Sequence, residues 1–218
     1  MSDDLNGNSV LVLGTHDFAH EVDDLIDETP GFTVTGFIEN WDIERCSKTI
    51  NDKPVHWVDD LANVDPNCQL ICSIGSAKRR DFISQVERFG LSFATVIHPD
   101  ARVARTSCIG AGSLVSAGVV VGAKSHVGSH SILNRGALVG HHTSIGDYVT
   151  IAPGANIAGR CKIGDGAYIA MGAAVLPDCS IGRNTVVGAG AVVTRDLSDN
   201  VKVFGIPAKV VAEDIEPM

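Results

Sequence analysis

Aliphatic residues recur at every sixth position through the second half of the chain. From Ile97 to Val193, all seventeen positions spaced six apart carry Val, Ile or Leu. Four places after each of them the residue is usually small, as at Ser113, Ala137 and Ala173. If about a third of residues were aliphatic, such a run would arise by chance roughly once in a hundred million. The period therefore predicts a repeat architecture.

A period of six fits one short strand followed by one corner. Three such hexads close a triangular coil, and successive coils stack at the ~4.8 Å spacing of neighbouring strands. The pattern thus predicts a parallel β-helix of about five to six coils. Stacked Val, Ile, Ala and Ser fill a narrow prism that has little room for rings, which accounts for an aromatic content of only 5%.

The residues before 97 follow a different pattern of strand, turn and helix. Apolar runs predict strands at residues 10–13, 34–38, 69–74 and 94–97. Helical periodicity follows the first strand, with Val22, Leu25 and Ile26 on one side, and returns at residues 77–89. We therefore expect an α/β domain with a mainly parallel sheet at residues 1–96, followed by the β-helix at residues 97–218.

Three loops of the α/β domain are candidates for ligand binding. In open α/β sheets, ligands lie outside the carboxyl ends of the strands, which points to residues 14–17, 39–41 and 75–77. Gly14 and Gly75 both precede helices, whose N-terminal amides suit a phosphate. The three spaced glycines of a dinucleotide site are missing, however, and Gly14 is explained equally well by a tight turn. From these residues alone both interpretations remain open.

Charge and composition exclude some classes of binding partner and indicate the cellular compartment. Lys and Arg total 17 against 26 Asp and Glu, a net charge of −9, which disfavours nucleic acid and anionic membrane surfaces. No apolar stretch reaches the roughly 18 residues of a membrane helix, and the acidic N-terminus does not resemble an export signal. Six cysteines without a CxxC pair are expected to be reduced, with Cys161 and Cys179 stacked in the core. We expect a cytoplasmic protein.

Four segments carry a resemblance to a known family. They are VLVLGTHDFAHEV at residues 10–22, FIEN at 37–40, SIGSAKRRDFI at 73–83 and FGIPAKVV at 204–211. Together with the hexads they resemble the hexapeptide-repeat acyltransferases that acetylate an amino group on a nucleotide-linked sugar. The sequence around His141 is most similar to that of the GDP-perosamine N-acetyltransferases. The resemblance implies a left-handed β-helix and a homotrimer with active sites between neighbouring prisms, acetyl-CoA along the prism and the sugar nucleotide on the N-terminal domain.

His141 matches the catalytic histidine of this family. It is the third residue of its hexad, off both inward positions, so its ring can face a ligand or a neighbouring subunit. An imidazole, with an ordinary pKa of about 6.5, is suited to take the proton that leaves an attacking amine. Gly159 lies one coil further along, where the family supplies a backbone N–H to the oxyanion. Its alternative role is that of a corner glycine.

The residue after His141 departs from the family. Members usually carry Asp or Glu there, to hold the second ring nitrogen of the catalytic histidine, whereas this chain has His142. Three alternatives remain open. A carboxylate from elsewhere in the chain orients His141, the two histidines act together in catalysis, or His142 is solvated and takes no part in catalysis.

The resemblance also assigns the binding residues. For the acceptor substrate they are Gly14, His16, Asp17, Glu39, Gly75, Arg80 and Asn134, and for CoA they are Gly159, Gly188, Ala189, Pro207, Ala208 and Lys209. His16 and Asp17 replace small residues of the family, which leaves the contacts to base and phosphate open. No metal is expected.

The expected activity is acetyl transfer from acetyl-CoA to the 4-amino group of a nucleotide-linked amino-deoxysugar, with GDP-perosamine as first choice, for O-antigen or another surface polysaccharide. Alternatives are a UDP- or dTDP-linked 4-amino sugar, sugar O-acetylation, and a non-catalytic trimeric scaffold or sensor, which His142 favours. A trimeric zinc carbonic anhydrase on the same prism would need three histidines around the metal. The spacing of the candidates His126, His130, His141 and His142 disfavours it.

Overall fold

The structure, a computed structural model, describes residues 8–217. Within this range the chain forms two compact units, of which the first comprises residues 8–74 and 79–99 and the second residues 75–78 and 100–217. Residues 1–7, on which the expectation of an unexported chain rests in part, lie outside the described residues.

The first unit is an α/β domain. Its elements are β1 (Asn8–Leu13), α1 (Asp17–Asp27), β2 (Phe32–Glu39), β3 (Thr49–Ile50), β4 (Lys53–Trp57), β5 (Gln69–Cys72), α2 (Arg79–Val86) and β6 (Val96–Ile97), with 3-10 helices at Ile43–Ser47, Val58–Asn63 and Glu87–Phe89. The sheet order is β3-β4-β2-β1-β5. All pairs are parallel except β3 with β4. The mainly parallel sheet predicted for this part of the chain is therefore confirmed.

Apolar patterning accounts for most of these elements. Val22 and Ile26 of α1 are buried, as their helical spacing predicts. The strand predicted at 69–74 ends two residues earlier, and the helix predicted at 77–89 is α2 followed by a 3-10 turn. The sequence analysis missed the β3–β4 hairpin. Its turn places Asn51 and Asp52 at φ 47° and 62°, as a tight hairpin turn requires, but a proline in β4 conceals the strand.

The order of the strands creates a switch point at the carboxyl edge of the sheet. From β1 the chain builds outward through β2 and β4, and then returns to add β5 on the other side of β1. Loops at such a point diverge and leave a crevice for a ligand. Ser73 Oγ donates to Leu13 O at 2.9 Å across this edge. Gly14 has φ 104°, and a Cβ there would lie 2.9 Å from Ser73 Oγ, so this position requires glycine.

The second unit consists mainly of two-residue strands. They are β7 (Arg102–Val103), β8 (Cys108–Ile109), β9 (Leu114–Val115), β10 (Val120–Val121), β11 (His126–Val127), β12 (Ile132–Leu133), β13 (Leu138–Val139), β14 (Ser144–Ile145), β15 (Thr150–Ile151), β16 (Asn156–Ile157), β17 (Lys162–Ile163), β18 (Tyr168–Ile169), β19 (Ala174–Val175), β20 (Ser180–Ile181), β21 (Val186–Val187) and β22 (Val192–Val193), followed by the longer β23 (Lys202–Phe204) and β24 (Lys209–Ala212).

These strands form the three walls of a parallel β-helix. Sheet 1 contains β7, β10, β13, β16, β19 and β22, sheet 2 contains β8, β11, β14, β17 and β20, and sheet 3 runs from β9 through β12, β15, β18 and β21 to β23 and β24. From β7 to β19, each two-residue strand pairs with the strand 18 residues further on, whereas β21 pairs with β23 at a spacing of 16 residues. All seventeen aliphatic positions of the hexad series are the second residue of a strand. The expected class, an α/β domain followed by a left-handed parallel β-helix, is confirmed.

The interior of the prism is closed by stacked aliphatic and small residues. Ala137, Ala155 and Ala173 are fully buried. Inward hydroxyls are satisfied by the neighbouring coils, since Ser113 Oγ donates to Gly128 O at 2.9 Å and accepts from Ser131 N at 3.0 Å. Cys161 and Cys179 are buried free thiols. Among the described residues, no helix has the length and apolar character needed to cross a bilayer.

The loop after β2 is held by a single buried carboxylate. Glu39 is 4% exposed, and its Oε1 accepts the backbone N–H groups of Asn40, Trp41 and Asp42 at 2.9, 2.7 and 3.3 Å. Its Oε2 accepts the Thr15 hydroxyl. Burial alone would raise the pKa of Glu39, but these hydrogen bonds outweigh it and hold the pKa below its ordinary 4.5. The ionised carboxylate therefore stabilises the folded state.

We expect Glu39→Gln to lower the free energy of unfolding at pH 7 by about 1–3 kcal/mol, because charge-assisted hydrogen bonds are replaced by weaker ones. The folded-state pKa is lowered, so this stabilisation is complete above the unfolded-state value and is lost as the pH falls below about 4.5. Urea denaturation at pH 7 and pH 3.5 measures both effects. Glu44→Gln, at an exposed neighbouring position, is the control. Equal stability of Glu39→Gln and the unchanged protein at pH 7 would contradict the assignment.

Candidate active site

His141 and His142 lie on the corner of the β-helix between β13 of sheet 1 and β14 of sheet 2. The neighbouring coils fix their backbone, because His142 N donates to Ala123 O and Arg160 N donates to His141 O, both at 2.9 Å. Both side chains are exposed, as the position of His141 in its hexad predicts. The corner thus presents two imidazoles on a backbone held by the coils on either side.

The two imidazoles form a hydrogen bond with each other. Nδ1 of His141 lies 3.0 Å from Nδ1 of His142, and the rings meet nearly perpendicular at 88°. One nitrogen must donate and the other accept. When His141 donates its Nδ1–H, its Nε2 carries the free lone pair that a general base needs. In the part of the chain that the structure describes, no carboxylate is hydrogen-bonded to His141. The geometry favours the alternative in which the two histidines act together in catalysis.

Gly159 lies directly beside the His141 ring, one coil further along. A Cβ at Gly159 would lie 2.8 Å from both Cε1 and Nε2 of His141, so a larger residue would displace the imidazole. Among the hydrogen bonds of residues 8–217, the Gly159 N–H has no acceptor. A backbone N–H at this place can donate to an oxyanion. The structure therefore brings the predicted base and the predicted oxyanion donor together.

An ion pair continues the column that starts at His142. Arg160 and Asp178 follow at intervals of 18 residues, and the guanidinium donates to both carboxylate oxygens at 2.6 and 2.8 Å. The hydrogen bond from Arg160 holds the pKa of Asp178 below its ordinary 3.8, and the charge of a protonated His141 acts in the same direction. Sequence reasoning missed both residues, although the 18-residue spacing from His142 was the signal that could have found them.

Apart from Gly159, the predicted CoA residues lie at a different corner, between sheets 3 and 1, where Asn134, predicted to bind the acceptor, also lies. Gly188 follows β21, and Asn134 occupies the same column three coils earlier. A Cβ at Gly188 would overlap the ring of Phe204, so this ring covers the glycine. Ala189 is exposed beside it, and Asn134 Oδ1 accepts the backbone N–H of Arg135 at 2.8 Å.

The tail returns to the last coil of the prism at the same corner. Ile206 and Pro207 are joined by a cis peptide bond, and Ala208 N donates to Val192 O at 2.8 Å. Lys209 starts β24 and lies opposite Phe204. Within one chain, sheet 1 separates this corner from the one that carries His141. The predicted catalytic residues and the predicted CoA residues other than Gly159 therefore lie on opposite edges of one sheet.

The structure also places the predicted acceptor residues of the first unit. Gly14, His16 and Asp17 lie at the carboxyl end of β1, where His16 caps α1 without a side-chain hydrogen bond. Glu39 contacts this loop through Thr15, whose hydroxyl donates to Oε2. Its Oε1 accepts backbone N–H groups of the loop after β2, so both oxygens already have partners. Arg80 is half-buried in α2. These loops are joined directly at one edge of the sheet.

Gly75 belongs to the second unit. Its carbonyl accepts the Thr150 hydroxyl at 3.0 Å.

The other candidate histidines of the prism have separate contacts: His126 Nδ1 lies 2.9 Å from Cys108 Sγ, and the His130 ring stacks on Tyr148. Between residues 8 and 217, no group of three or more His, Cys, Asp or Glu side chains is placed to hold a metal ion.

The chain is similar to one protein-family model and to several solved structures. The family model of the bacterial transferase hexapeptide (six repeats) matches residues 160–195. No curated protein matches the chain. PerB from Caulobacter crescentus, solved with CoA and GDP-perosamine, is 31% identical, with a TM-score of 0.86 over 94% of this chain and 97% of that chain.

Two further structures have the same architecture. A histidine-to-asparagine mutant of perosamine N-acetyltransferase from Caulobacter crescentus, also with CoA and GDP-perosamine, is 30% identical, with a TM-score of 0.87 over 94% of this chain and 97% of that chain. The acetyltransferase domain of PglB from Neisseria gonorrhoeae, with acetyl coenzyme A, is 29% identical, with a TM-score of 0.87 over 94% of this chain and 100% of that chain. Identity at this level over nearly the full length shows that the chain is an acyltransferase and belongs to the hexapeptide-repeat sugar N-acetyltransferases.

Proposed function

We propose that the protein transfers the acetyl group of acetyl-CoA to the 4-amino group of a nucleotide-linked amino-deoxysugar, with GDP-perosamine as the first candidate, in the synthesis of O-antigen or another surface polysaccharide. One observation carries the proposal: His141 is hydrogen-bonded through Nδ1 to His142 at 3.0 Å, while its Nε2 side lies against Gly159. The relatives solved with CoA, acetyl-CoA and GDP-perosamine support the two substrates.

The first step joins the sugar to the acetyl group. The lone pair of the sugar amine attacks the thioester carbonyl carbon and forms the new C–N bond. His141 Nε2 takes the proton that leaves this nitrogen, while His142 holds the opposite ring nitrogen. The Gly159 N–H donates to the oxygen that becomes negative. The product of this step is a tetrahedral intermediate beside a protonated His141.

The second step releases CoA. The intermediate collapses as the carbonyl re-forms and the C–S bond breaks. His141 returns its proton to the departing sulfur, so that the products are the amide and the free thiol of CoA. A neutral imidazole at residue 142 stabilises the intervening imidazolium less than a carboxylate does. Asp178, kept ionised by Arg160, adds an attraction for that charge through space.

We assign the two parts of the substrate pair to different parts of the chain. Residues 1–96 bind the nucleotide, at the carboxyl edge of the sheet where Gly14, His16, Asp17 and Glu39 lie. Residues 97–218 bind CoA and carry the transfer. We propose the cytoplasm as the compartment, in agreement with six cysteines that are all free thiols.

A homotrimer would complete the active site. His141 occupies one edge of sheet 1, whereas Asn134 and Gly188 occupy the other. Four of the six outward residues of sheet 1 are apolar, the exceptions being Arg102 and Asn156, and Val120 and Leu138 are each 40% exposed in the single chain. Three prisms around a threefold axis would cover this face and bring the His141 corner of one copy to the Gly188 corner of the next. The two groups of residues would then form one site.

The purified protein should release the thiol of CoA from acetyl-CoA when a nucleotide-linked 4-amino sugar is present. We expect the highest kcat/KM with the GDP-linked sugar among GDP-, UDP- and dTDP-linked acceptors, measured with a thiol-reactive dye. His141→Ala should lower kcat by about 10²- to 10⁴-fold, because the general base is lost. His126→Ala, on the same prism, is the control and should keep the activity. Unchanged turnover by His141→Ala would refute the mechanism.

His142 should act by positioning His141. We expect His142→Phe to lower kcat by about tenfold to a hundredfold with little change in KM, because Nδ1 of His141 loses its acceptor. His142→Asp should keep turnover, since a carboxylate accepts the same hydrogen bond from Nδ1 of His141. The matched control is Asp178→Asn, which should change kcat less. A larger loss in Asp178→Asn than in His142→Phe would show that the carboxylate orients His141 instead.

The apolar face of sheet 1 should hold the trimer together. Leu138→Glu places a charge in this face, and we expect it to give monomers without acetyl transfer because burial of an unpaired charge is unfavourable. Size-exclusion chromatography with light scattering measures the mass. Lys162→Glu, at the equivalent outward position of sheet 2, should remain trimeric. A trimeric Leu138→Glu variant would rule out this face as the interface.

A further inference from the structure

A cavity of about 180 Å³ in the first unit is not used by the mechanism above. Its walls come from the loop after β1, α1, the 3-10 helix at Ile43–Ser47 and the β3–β4 hairpin. Three lining residues, His20, Arg45 and Lys48, are basic, and the lining includes no Asp or Glu. A basic cavity stands out in a chain whose net charge is −9. Its composition suits an anion.

The guanidinium of Arg45 is fixed at the edge of this cavity. Its Nη1 donates to the carbonyl and to the hydroxyl of Thr15 at 2.8 and 2.9 Å. Thr15 in turn donates to the buried Glu39, so the whole group is anchored to the sheet. Asp42 lies 3.9 Å from Nε, too far for a short hydrogen bond. Donors other than Nη1 therefore remain for a ligand.

A buried network sets the hydrogen on His20. Asp23, 1% exposed, accepts from Lys53 Nζ at 2.6 Å and from Asn51 Nδ2 at 2.9 Å. Because the amide nitrogen of Asn51 is used in this way, its oxygen is the atom that lies 2.9 Å from Nδ1 of His20. An amide oxygen only accepts, so Nδ1 of His20 carries the hydrogen of this bond. The network thereby fixes the ring of His20 at the cavity wall.

The carboxylates near the cavity do not line it. Asp23 is paired with Lys53, and Glu39 accepts from Thr15 and from backbone N–H groups. Asp42 lies 3.9 Å from Nε of Arg45 and would share this guanidinium with a phosphate. The Lys48 side chain is exposed at the rim. The result is one planar guanidinium, one ammonium and one imidazole around a space of the size of a small anion. Guanidinium and ammonium groups are the usual partners of phosphate in proteins.

We propose that this cavity binds a phosphate group, and, resting on the proposed function, that the group is part of the diphosphate of the nucleotide-linked acceptor. Arg45 and Lys48 contact the phosphate oxygens, and His20 lines the same cavity. The cavity adjoins Thr15, in the loop between β1 and α1, on the side of β1 occupied by β2 and β4. It is therefore a subsite beside the switch point, built from residues that no phosphate motif in the sequence marks.

Calorimetric titration of the purified protein with inorganic pyrophosphate and with GDP tests the cavity directly. We expect Lys48→Gln to weaken pyrophosphate binding by about tenfold, as for loss of one charge-assisted hydrogen bond. His20→Gln should weaken it in the same direction. Lys48→Arg should bind like the unchanged protein, since it keeps the charge. Lys162→Gln, an exposed lysine of sheet 2, is the matched control and should have no effect.

The arms of the experiment separate the possible outcomes. Equal weakening of pyrophosphate and GDP in Lys48→Gln, with a raised KM for the nucleotide sugar and an unchanged kcat, supports the proposal in full. Weakening of pyrophosphate alone overturns the assignment to the substrate and leaves a site for free phosphate. Unchanged pyrophosphate binding in both variants overturns the cavity as a phosphate site. The binding assay needs no turnover, so a failure of acetyl transfer in the unchanged protein would refute the proposed function without deciding the cavity.

Discussion

Pairing between strands 18 residues apart, which holds from β7 to β19, is the constraint on which the second unit depends. Each of these strands has only two residues and few hydrogen bonds of its own, so the wall is stabilised by repetition, as where Val120 N donates to Ala137 O and Leu138 N to Ala155 O. Residues 18 apart are therefore stacked neighbours at about the strand spacing. His141 meets Gly159 for this reason alone. One inserted residue between them would move Gly159, the proposed oxyanion donor, away from His141.

The same constraint fixes the backbone position of the residue that follows His141, the proposed catalytic histidine. His142 occupies a corner position at φ 57°, in the left-handed region that Asn, Asp and His tolerate better than other residues. A carboxylate there could accept a hydrogen bond at any pH near neutrality, whereas an imidazole accepts only while it is neutral. An imidazole at residue 142 thus keeps the hydrogen bond to Nδ1 of His141 but stabilises a protonated His141 less than a carboxylate would. Asp178, which is paired with Arg160 in the same column, supplies part of the missing stabilisation through its negative charge.

Sequence periodicity predicted the β-helix because its signal is repeated in every hexad and each aliphatic residue points inward for the same reason. The exposure of His141 followed from its place in the hexad. The β3–β4 hairpin was not predicted because its strands are short and because Pro54, a residue that is rare within strands, lies in β4. The contact between His141 and His142 depends on two ring orientations, which no residue pattern encodes. Arg45 and Lys48 meet His20 only because the hairpin folds back on α1, so no local motif marks them.

Strand β24 has a consequence for the growth of the prism. A coil without a successor exposes a row of unpaired backbone groups, on which another chain could continue the sheet. In sheet 3 this terminal row is occupied, because the tail reverses and β24 lies antiparallel along β23. An antiparallel strand breaks the parallel register that a further coil would need. The tail that carries Lys209 therefore also ends the sheet and opposes head-to-tail fibre formation.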